Sequence, residues 1–328
     1  MKPDEAKLLK QGYPHAEWNE THISYVLMTE DCAYKIMKTV KLDFLDFSTL
    51  GQRKHNCEEE QRLNQRLAPD VYRAVVPVTR QGDQLKLEAE GEVLDYAVKM
   101  KRLDEQRLMS KLLEKKQVTE QHIRQLAEVV ATFHAQAPVV QQVASTTEFA
   151  ANFNELAEQA DWVKEQMRSD CADIISEAVS LSDQFLQQNG NLLKQRQKVG
   201  LVRDVHGDLH SHNVFLYDEP VIFDCISFND AFRKIDLLNE VAFMCMDLEA
   251  QGATALSNLF YTQYVAQMSE RGIEHVEDEN LFIYFKLYRA NVRVKVSIID
   301  AQEKEGPPNS TAVKPYLELM KQYTEELV

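Results

Sequence analysis

A stretch of about a hundred residues that reads mainly as strands and turns is followed by more than two hundred that read mainly as helices, and this switch restricts the chain to a mixed α+β fold built in two parts. Residues 23–28 are rich in β-forming side chains, Thr29-Glu30-Asp31 supplies a turn, and residues 33–37 resume the apolar run, so a hairpin is expected there. In residues 57–67, Glu60, Leu63, Asn64 and Leu67 recur at helical spacing, and Ala68-Pro69 ends the pattern. Residues 74–79 and 94–100 read as two further strands around a turn-rich stretch containing Gly82, Asp83 and Gly91. Beyond Leu103 the periodicity becomes helical. It predicts helices over 120–137 behind a Thr119 cap, over 149–167, and over 174–188 with Asn189-Gly190 as the stop. Short strands are expected at 201–205, 214–217 and 221–223, with helix again from about Asp236 and a loop at Gly306-Pro307-Pro308. The expected division is a β-rich part, 1–102, and a helical part, 103–328, with a ligand cleft between them.

Charge narrows the partners. The net charge of −15 opposes binding to nucleic acid or to an anionic membrane, both of which demand a positive field. Five cysteines, an odd number with no CxxC pair, suggest reduced, buried thiols rather than disulfides or a zinc knuckle. Apolar runs such as 241–246 are far too short for a bilayer, and Lys2, Pro3, Asp4 and Glu5 do not resemble a signal segment, so a cytoplasmic location is expected.

The most specific chemical signal is His206-Gly207-Asp208-Leu209-His210-Ser211-His212-Asn213, followed by a hairpin-like run that ends in Ile222-Phe223-Asp224. Phosphoryl transfer has a use for each part. An incoming hydroxyl needs one carboxylate on a rigid loop to accept its proton, which suits Asp208. Polyphosphate charge is offset by Mg²⁺, a hard cation that takes oxygen ligands, which Asn213 and Asp224 supply. The competing reading, that Asp208 and Asn213 only cap turns, loses ground once the Asp224 hairpin is added.

This motif resembles the catalytic loop of the aminoglycoside phosphotransferase and choline kinase group, H-G-D-x-x-x-x-N before a strand that bears a metal-binding Asp. Residues 20–24, 42–48 and 67–72 (Glu-Thr-His-Ile-Ser, Leu-Asp-Phe-Leu-Asp-Phe-Ser and Leu-Ala-Pro-Asp-Val-Tyr) are similar to an uncharacterised bacterial branch of that group. The resemblance implies a bilobal, protein-kinase-like α+β fold with a β-rich N-lobe and a helical C-lobe, ATP and Mg²⁺ as cofactors, and a small-molecule hydroxyl as acceptor. It further implies Asp208 as catalytic base and Asn213 and Asp224 as metal ligands. Lys35, in Ala33-Tyr34-Lys35, looks like the nucleotide-binding lysine, with Lys38 and Lys41 as rivals. Of the candidate partners Glu58, Glu59 and Glu60, the last shares a face with Leu63 and Leu67 and is preferred.

The family's phosphate-covering turn falls at 21–24 without a glycine, leaving Thr21, His22 and Ser24 to contact phosphate. A hinge that pairs with adenine is expected near Met100 and Arg102. Asp236 either caps a helix or steadies the catalytic loop, and His206 reads as structural. A zinc site from His206, His210 and His212 suits the surrounding Asn and Asp less well than magnesium does. His210 is a candidate substrate contact. Arg289 and Arg293, at i and i+4, either bind a carboxylate or phosphate of the acceptor or pair with surface acids. Relatives in this branch are often fused to a P-loop domain, yet no G-x-x-x-x-G-K-[ST] occurs here, which leaves a separate P-loop protein as a possible partner. The alternative to a kinase is a nucleotide-binding regulatory module that acts through a protein partner.

Overall fold

Along residues 24–37 large apolar side chains alternate with small or polar ones, which in an extended chain sends them to opposite faces. The computed structural model describes residues 1–42, 45–141, 146–166, 169–303 and 310–328. Asp43 and Phe44 of the 42–48 stretch, Met167 and the 306–308 loop therefore lie outside the described residues. Residue contacts divide the chain into a first unit, Met1–Arg107 with Val221–Asp230, and a second, Leu108–Pro220 with Ala231–Val328.

The first unit contains α1 (Pro3–Gln11), β1 (Glu17–Glu20), β2 (Ser24–Met28), β3 (Cys32–Met37), β4 (Lys41–Leu42), β5 (Leu45–Asp46), α2 (Leu50–Asn64), β6 (Tyr72–Gln81), β7 (Gln84–Leu87) and β8 (Glu92–Lys101). Six strands form one antiparallel sheet in the order β1-β2-β3-β8-β6-β7. The expected hairpin is β2–β3, with Val26 opposite Lys35, and Lys35 in turn lies opposite Val98 of β8. One face of the sheet packs Tyr25, Leu27, Tyr34 and Ile36 with Ala6 and Leu9 of α1. The other packs Met37, Val98 and Met100 with Cys57 of α2.

Helix α2 begins seven residues before the apolar pattern does. Its start is a capping box in which Thr49 accepts from the Gln52 amide while the Gln52 side chain accepts from that of Thr49. Its buried face carries Arg53, Asn56, Glu60 and Asn64 beside Cys57 and Leu63. A mostly polar face gives no apolar period, so its first two turns are invisible to a search for one. Strand β7 and helix α1 were likewise not anticipated from the sequence.

The second unit contains α3 (Met109–Glu114), α4 (Glu120–Gln136), α5 (Thr146–Asn154), α6 (Ala160–Gln166), α7 (Ser169–Lys198), β9 (Val202–Asp204) and β10 (Val214–Leu216). The short strand β11 (Pro220–Ile222) leads into the first unit's second segment, and after it come β12 (Lys234–Asp236), α8 (Leu237–Ala250), α9 (Thr254–Glu270), α10 (Glu279–Glu303) and α11 (Ser310–Leu327). The helix expected over 149–167 is interrupted by a 3-10 turn at Glu155–Gln159, where Leu156 is fully buried. Helix α7 does not stop at Asn189-Gly190. The Asn189 amide bonds back to the Phe185 carbonyl, Leu192 and Leu193 pack on the core, and Arg196 holds Asp236 at 2.7 Å. Packing in the last turns outweighs a glycine penalty of about 1 kcal/mol. Nearly every residue of α8 from Leu237 to Leu248 is buried, which makes it the central helix of this unit.

Candidate active site

In the first unit the alternation of β3 puts Lys35 on the same side as α2, where its ammonium lies 2.7 Å from Asp224 Oδ1 and 2.9 Å from Glu60 Oε1. Glu60 is 2% exposed and Asp224 is 44% exposed, so one carboxylate anchors the lysine while the other remains open to solvent. Burial opposes the charge on Lys35, but Asp224 and then Glu60 overcome it and raise the ammonium above its ordinary value. Burial pushes Glu60 up; Lys35 pulls it back, and Asp224 adds to the rise. A single cation thus serves two acids.

Asp224 has a φ of 62°, in the left-handed region that costs a non-glycine residue roughly 1–2 kcal/mol. Its neighbours hold it there. The Asp224 amide donates to the buried Tyr72 hydroxyl at 3.0 Å, and the Cys225 amide donates to Asn64 Oδ1 at 2.8 Å. Ser227 adds a bond to Asn56. Tyr72 and Asn64 were not anticipated as site residues, because a tyrosine and an asparagine in a strand and a helix carry no spacing signal.

The turn before β2 is closed on itself. Ser24 is fully buried and its amide donates to Thr21 Oγ1 at 3.0 Å, while the two hydroxyls meet at 2.8 Å. Thr21 is exposed. Met100 is buried on β8, opposite both Ala33 and Tyr72. The Arg102 amide donates to Asp31 O and its guanidinium to Thr29 O and Glu17.

In the second unit the loop 206–213 rests on α8. Glu240, fully buried, accepts from the amides of His206 at 3.2 Å and Gly207 at 2.5 Å, and from His134 Nε2 at 2.6 Å. Since a carboxylate can only accept, the His134 hydrogen sits on Nε2, and Nδ1 faces the Tyr264 hydroxyl at 2.7 Å. Two turns further along the same face of α8, Asp247 accepts from the Ser211 amide at 2.9 Å. Burial opposes both charges; His134 lowers Glu240, while His210 and the Ser211 bonds lower Asp247, so both stay below the usual carboxylate range. The signal for these two residues was present: they are acids within a mostly apolar helix, LLNEVAFMCMDLEA, where burial requires a partner.

Gly207 has a φ of +89°, and a Cβ there would meet the Phe232 carbonyl at 2.7 Å. Only glycine fits this position. From the other side Arg289 donates to the Gly207 carbonyl at 3.2 Å and to Asn239 Oδ1 at 2.6 Å, with its guanidinium 4.7 Å over the Phe243 ring. Arg289 is therefore largely buried beneath the loop.

The loop presents Asp208, whose side chain is 35% exposed. Its Oδ2 accepts from Asn213 Nδ2 at 2.8 Å and lies 3.3 Å from His210 Nε2, and Asn213 Nδ2 also bonds the Asp208 carbonyl at 2.9 Å. Burial would raise the Asp208 carboxyl, but His210, through charge and hydrogen bonding, and then Arg293 and His206 hold it well below the usual range. His210, 5% exposed, accepts from the His212 amide through Nδ1 and so acts as a wall behind Asp208. Asp236 caps α8 by accepting from Leu238 N. Among the described residues no group of three or more His, Cys, Asp or Glu could hold a metal. Asn213 has both its nitrogen bonds on Asp208 and leaves Oδ1 over, and Asp224 leaves Oδ2 over beside Lys35. Each is a hard oxygen donor of the kind that Mg²⁺ takes.

The sequence pattern of the phosphotransferase enzyme family matches residues 24–270, which include Lys35, Glu60, Asp208, Asn213 and Asp224. The chain belongs to that family. Proteins named uncharacterized in Mycobacterium tuberculosis and Mycobacterium bovis are 29% identical to this phosphotransferase-family chain over 307 residues, or 91% of it. The chain spans 57% of the length of those relatives. Among solved structures, choline kinase from Cryptosporidium parvum aligns with a TM-score of 0.58 at 12% identity, covering 96% of this chain and 90% of that one. A glucosamine kinase in complex with glucosamine, ADP and inorganic phosphate aligns at 0.54 and 11%, covering 96% and 80%. The Plasmodium vivax ethanolamine kinase aligns at 0.54 and 10%, covering 99% and 89%. At such identities the likeness concerns the fold, which is the mixed α+β fold of these kinases, as the motif resemblance implied. Among the described residues no helix is long and apolar enough to cross a membrane.

Proposed function

We propose that this protein transfers the γ-phosphate of ATP to a hydroxyl of a small molecule, with Asp208 as the base. The observation that carries the reading is the state of Asp208: a partly exposed carboxylate with Oδ2 fixed by Asn213 and His210 and with Oδ1 left to accept a proton. An acceptor O–H donating to Oδ1 is oriented for attack, and its proton passes to Asp208 as the oxygen bonds to phosphorus and the bridging β–γ oxygen leaves with ADP. A base held at low pKa suits a loose transition state, where the hydroxyl acidifies late. Lys35, kept charged by Glu60 and Asp224, would pair with phosphate oxygens. Mg²⁺ would be held by Asn213 and Asp224 and would supply charge neutralisation on the phosphates. A glucosamine kinase of the same fold holds ADP, which supports ATP as the donor.

The test is purified protein with Mg²⁺-ATP and a library of hydroxylated metabolites, read by ADP release and phosphorus NMR. An acceptor should be phosphorylated, and Asp208→Asn should abolish turnover while ATP binding persists. A near-normal rate in that variant would remove Asp208 from the chemistry. Tight ATP binding with no acceptor phosphorylated would favour a regulatory nucleotide-binding module instead.

A further inference from the structure

Within the second unit lies a cavity of about 780 Å³, bounded by α3, the α8–α9 turn, α10, α11 and the catalytic loop. Its polar lining includes Ser110, His212, Gln251, Arg293, Ser297 and Tyr316. His212 touches His210 at a ring separation of 5.6 Å, and His210 touches Asp208, so the cavity reaches the proposed base through two side chains.

Charge in this cavity is unbalanced. Arg289 and Arg293 stand one turn apart on α10, and Arg289 gives its Nε to Asn239 and an Nη to the Gly207 carbonyl. The half-buried Arg293 has no such arrangement. Its guanidinium lies 5.4 Å over the Tyr316 ring and bonds that side chain, and Asp247 and Asp208 favour its charge, but its Nε is buried without a hydrogen-bond partner. The nearest acid, Asp247, is already occupied by the Ser211 amide, Gln251 and Tyr316. Lys116 and Glu114 stand exposed at the rim and offset one another. A buried guanidinium donor without a partner costs free energy that a bound oxyanion would recover, and its planar fork matches a carboxylate or phosphate.

We propose that this cavity is the acceptor site and that Arg293 receives an anionic group, carboxylate or phosphate, on the hydroxyl compound. The proposal rests on the phosphotransferase reading only in calling the ligand an acceptor. A cationic amine in the same position would face the guanidinium of Arg293 and be repelled by it.

Four compounds on one skeleton test it by calorimetry without nucleotide: glucose, glucosamine, glucuronate and glucose 6-phosphate. Glucuronate or glucose 6-phosphate should bind at least about 10-fold more tightly than glucose, and the ranking of the two tells carboxylate from phosphate. In Arg293→Met the preference should shrink to within about twofold, and Arg293→Lys should keep part of it. Ser297→Glu, one turn along α10, should abolish the preference by pairing with Arg293, and it reads the same interaction if Arg293→Met folds poorly. Tightest binding of glucosamine, equal or no affinity for all four, or an anion preference that survives both Arg293→Met and Ser297→Glu would overturn the proposal. Because nucleotide is absent, these titrations can fail while ADP release with another acceptor succeeds, or succeed in Asp208→Asn where turnover is lost.

Discussion

Replacing Glu240 by glutamine should both destabilise the second unit and slow turnover. The carboxylate accepts three N–H groups, from His134, His206 and Gly207, and is fully buried. Charge-assisted bonds exceed neutral ones by about 1 kcal/mol each, and the amide NH₂ that Glu240→Gln introduces must confront at least one donor, adding about 1–3 kcal/mol. The expected loss is roughly 4–6 kcal/mol, a large part of the ~5–15 kcal/mol that holds a typical domain together, or a Tm lower by roughly 15 °C. Two of the three donors belong to the loop before Asp208, so a displacement on the order of 1 Å should lower kcat about 100-fold. Denaturant titration and ADP release measure the two effects. Glu240 is held below its ordinary 4.5 in the folded protein, so its stabilisation is full above that pH and is lost as pH falls through the folded value. The gap between wild type and Glu240→Gln should therefore narrow on acidification. A variant within about 1 kcal/mol of wild type, with kcat within twofold, would refute the argument that α8 holds the loop through this carboxylate.

Asp224→Ala should weaken Mg²⁺-dependent ATP binding while leaving metal-free ATP binding nearly unchanged; equal Mg²⁺-ATP affinity in titration calorimetry would remove Asp224 from the ligand set. Asn64→Ala leaves the Cys225 amide without its acceptor, costs about 1–3 kcal/mol, and should reproduce the Asp224→Ala binding defect with the Asp224 carboxylate intact. Gly207→Ala forces an L residue to +89° and a Cβ to within 2.7 Å of Phe232 O, so at least about 2 kcal/mol of stability should disappear along with turnover; a wild-type unfolding curve would contradict that geometry.

The parts of the fold that could be read from sequence were those in which local pattern and packing agree. The β2–β3 hairpin follows from alternation around Thr29-Glu30-Asp31, and of the apolar stripe at Ile123, Leu126, Ala127, Val130 and Phe133 in α4 the first four are buried as the period requires, while Phe133 is half-buried. Where burial is polar, periodicity fails, as in the first turns of α2. Where packing overrides a stop signal, as at Asn189-Gly190, the helix runs on. The motif at 206–213 pointed to Asp208 and Asn213, but Glu240 and Asp247 act from thirty residues away and are found only through the amides they hold. Arg289 and Arg293 share a spacing argument, yet the structure gives them different surroundings, one beneath Gly207 and the other beside a cavity.

The first unit is discontinuous in sequence, and this has a consequence for how the chain is made. Val221, Phe223 and Phe228 pack against the cluster of Cys57, Tyr72, Val98 and Met100, so the cover that α2 gives this face of the sheet is completed only after residues 221–230 have left the ribosome. At about 5–20 residues per second, the wait after Arg107 emerges lasts roughly 6–25 s. During that interval part of the apolar face stays open, and translation fragments ending short of Val221 should clump together when released.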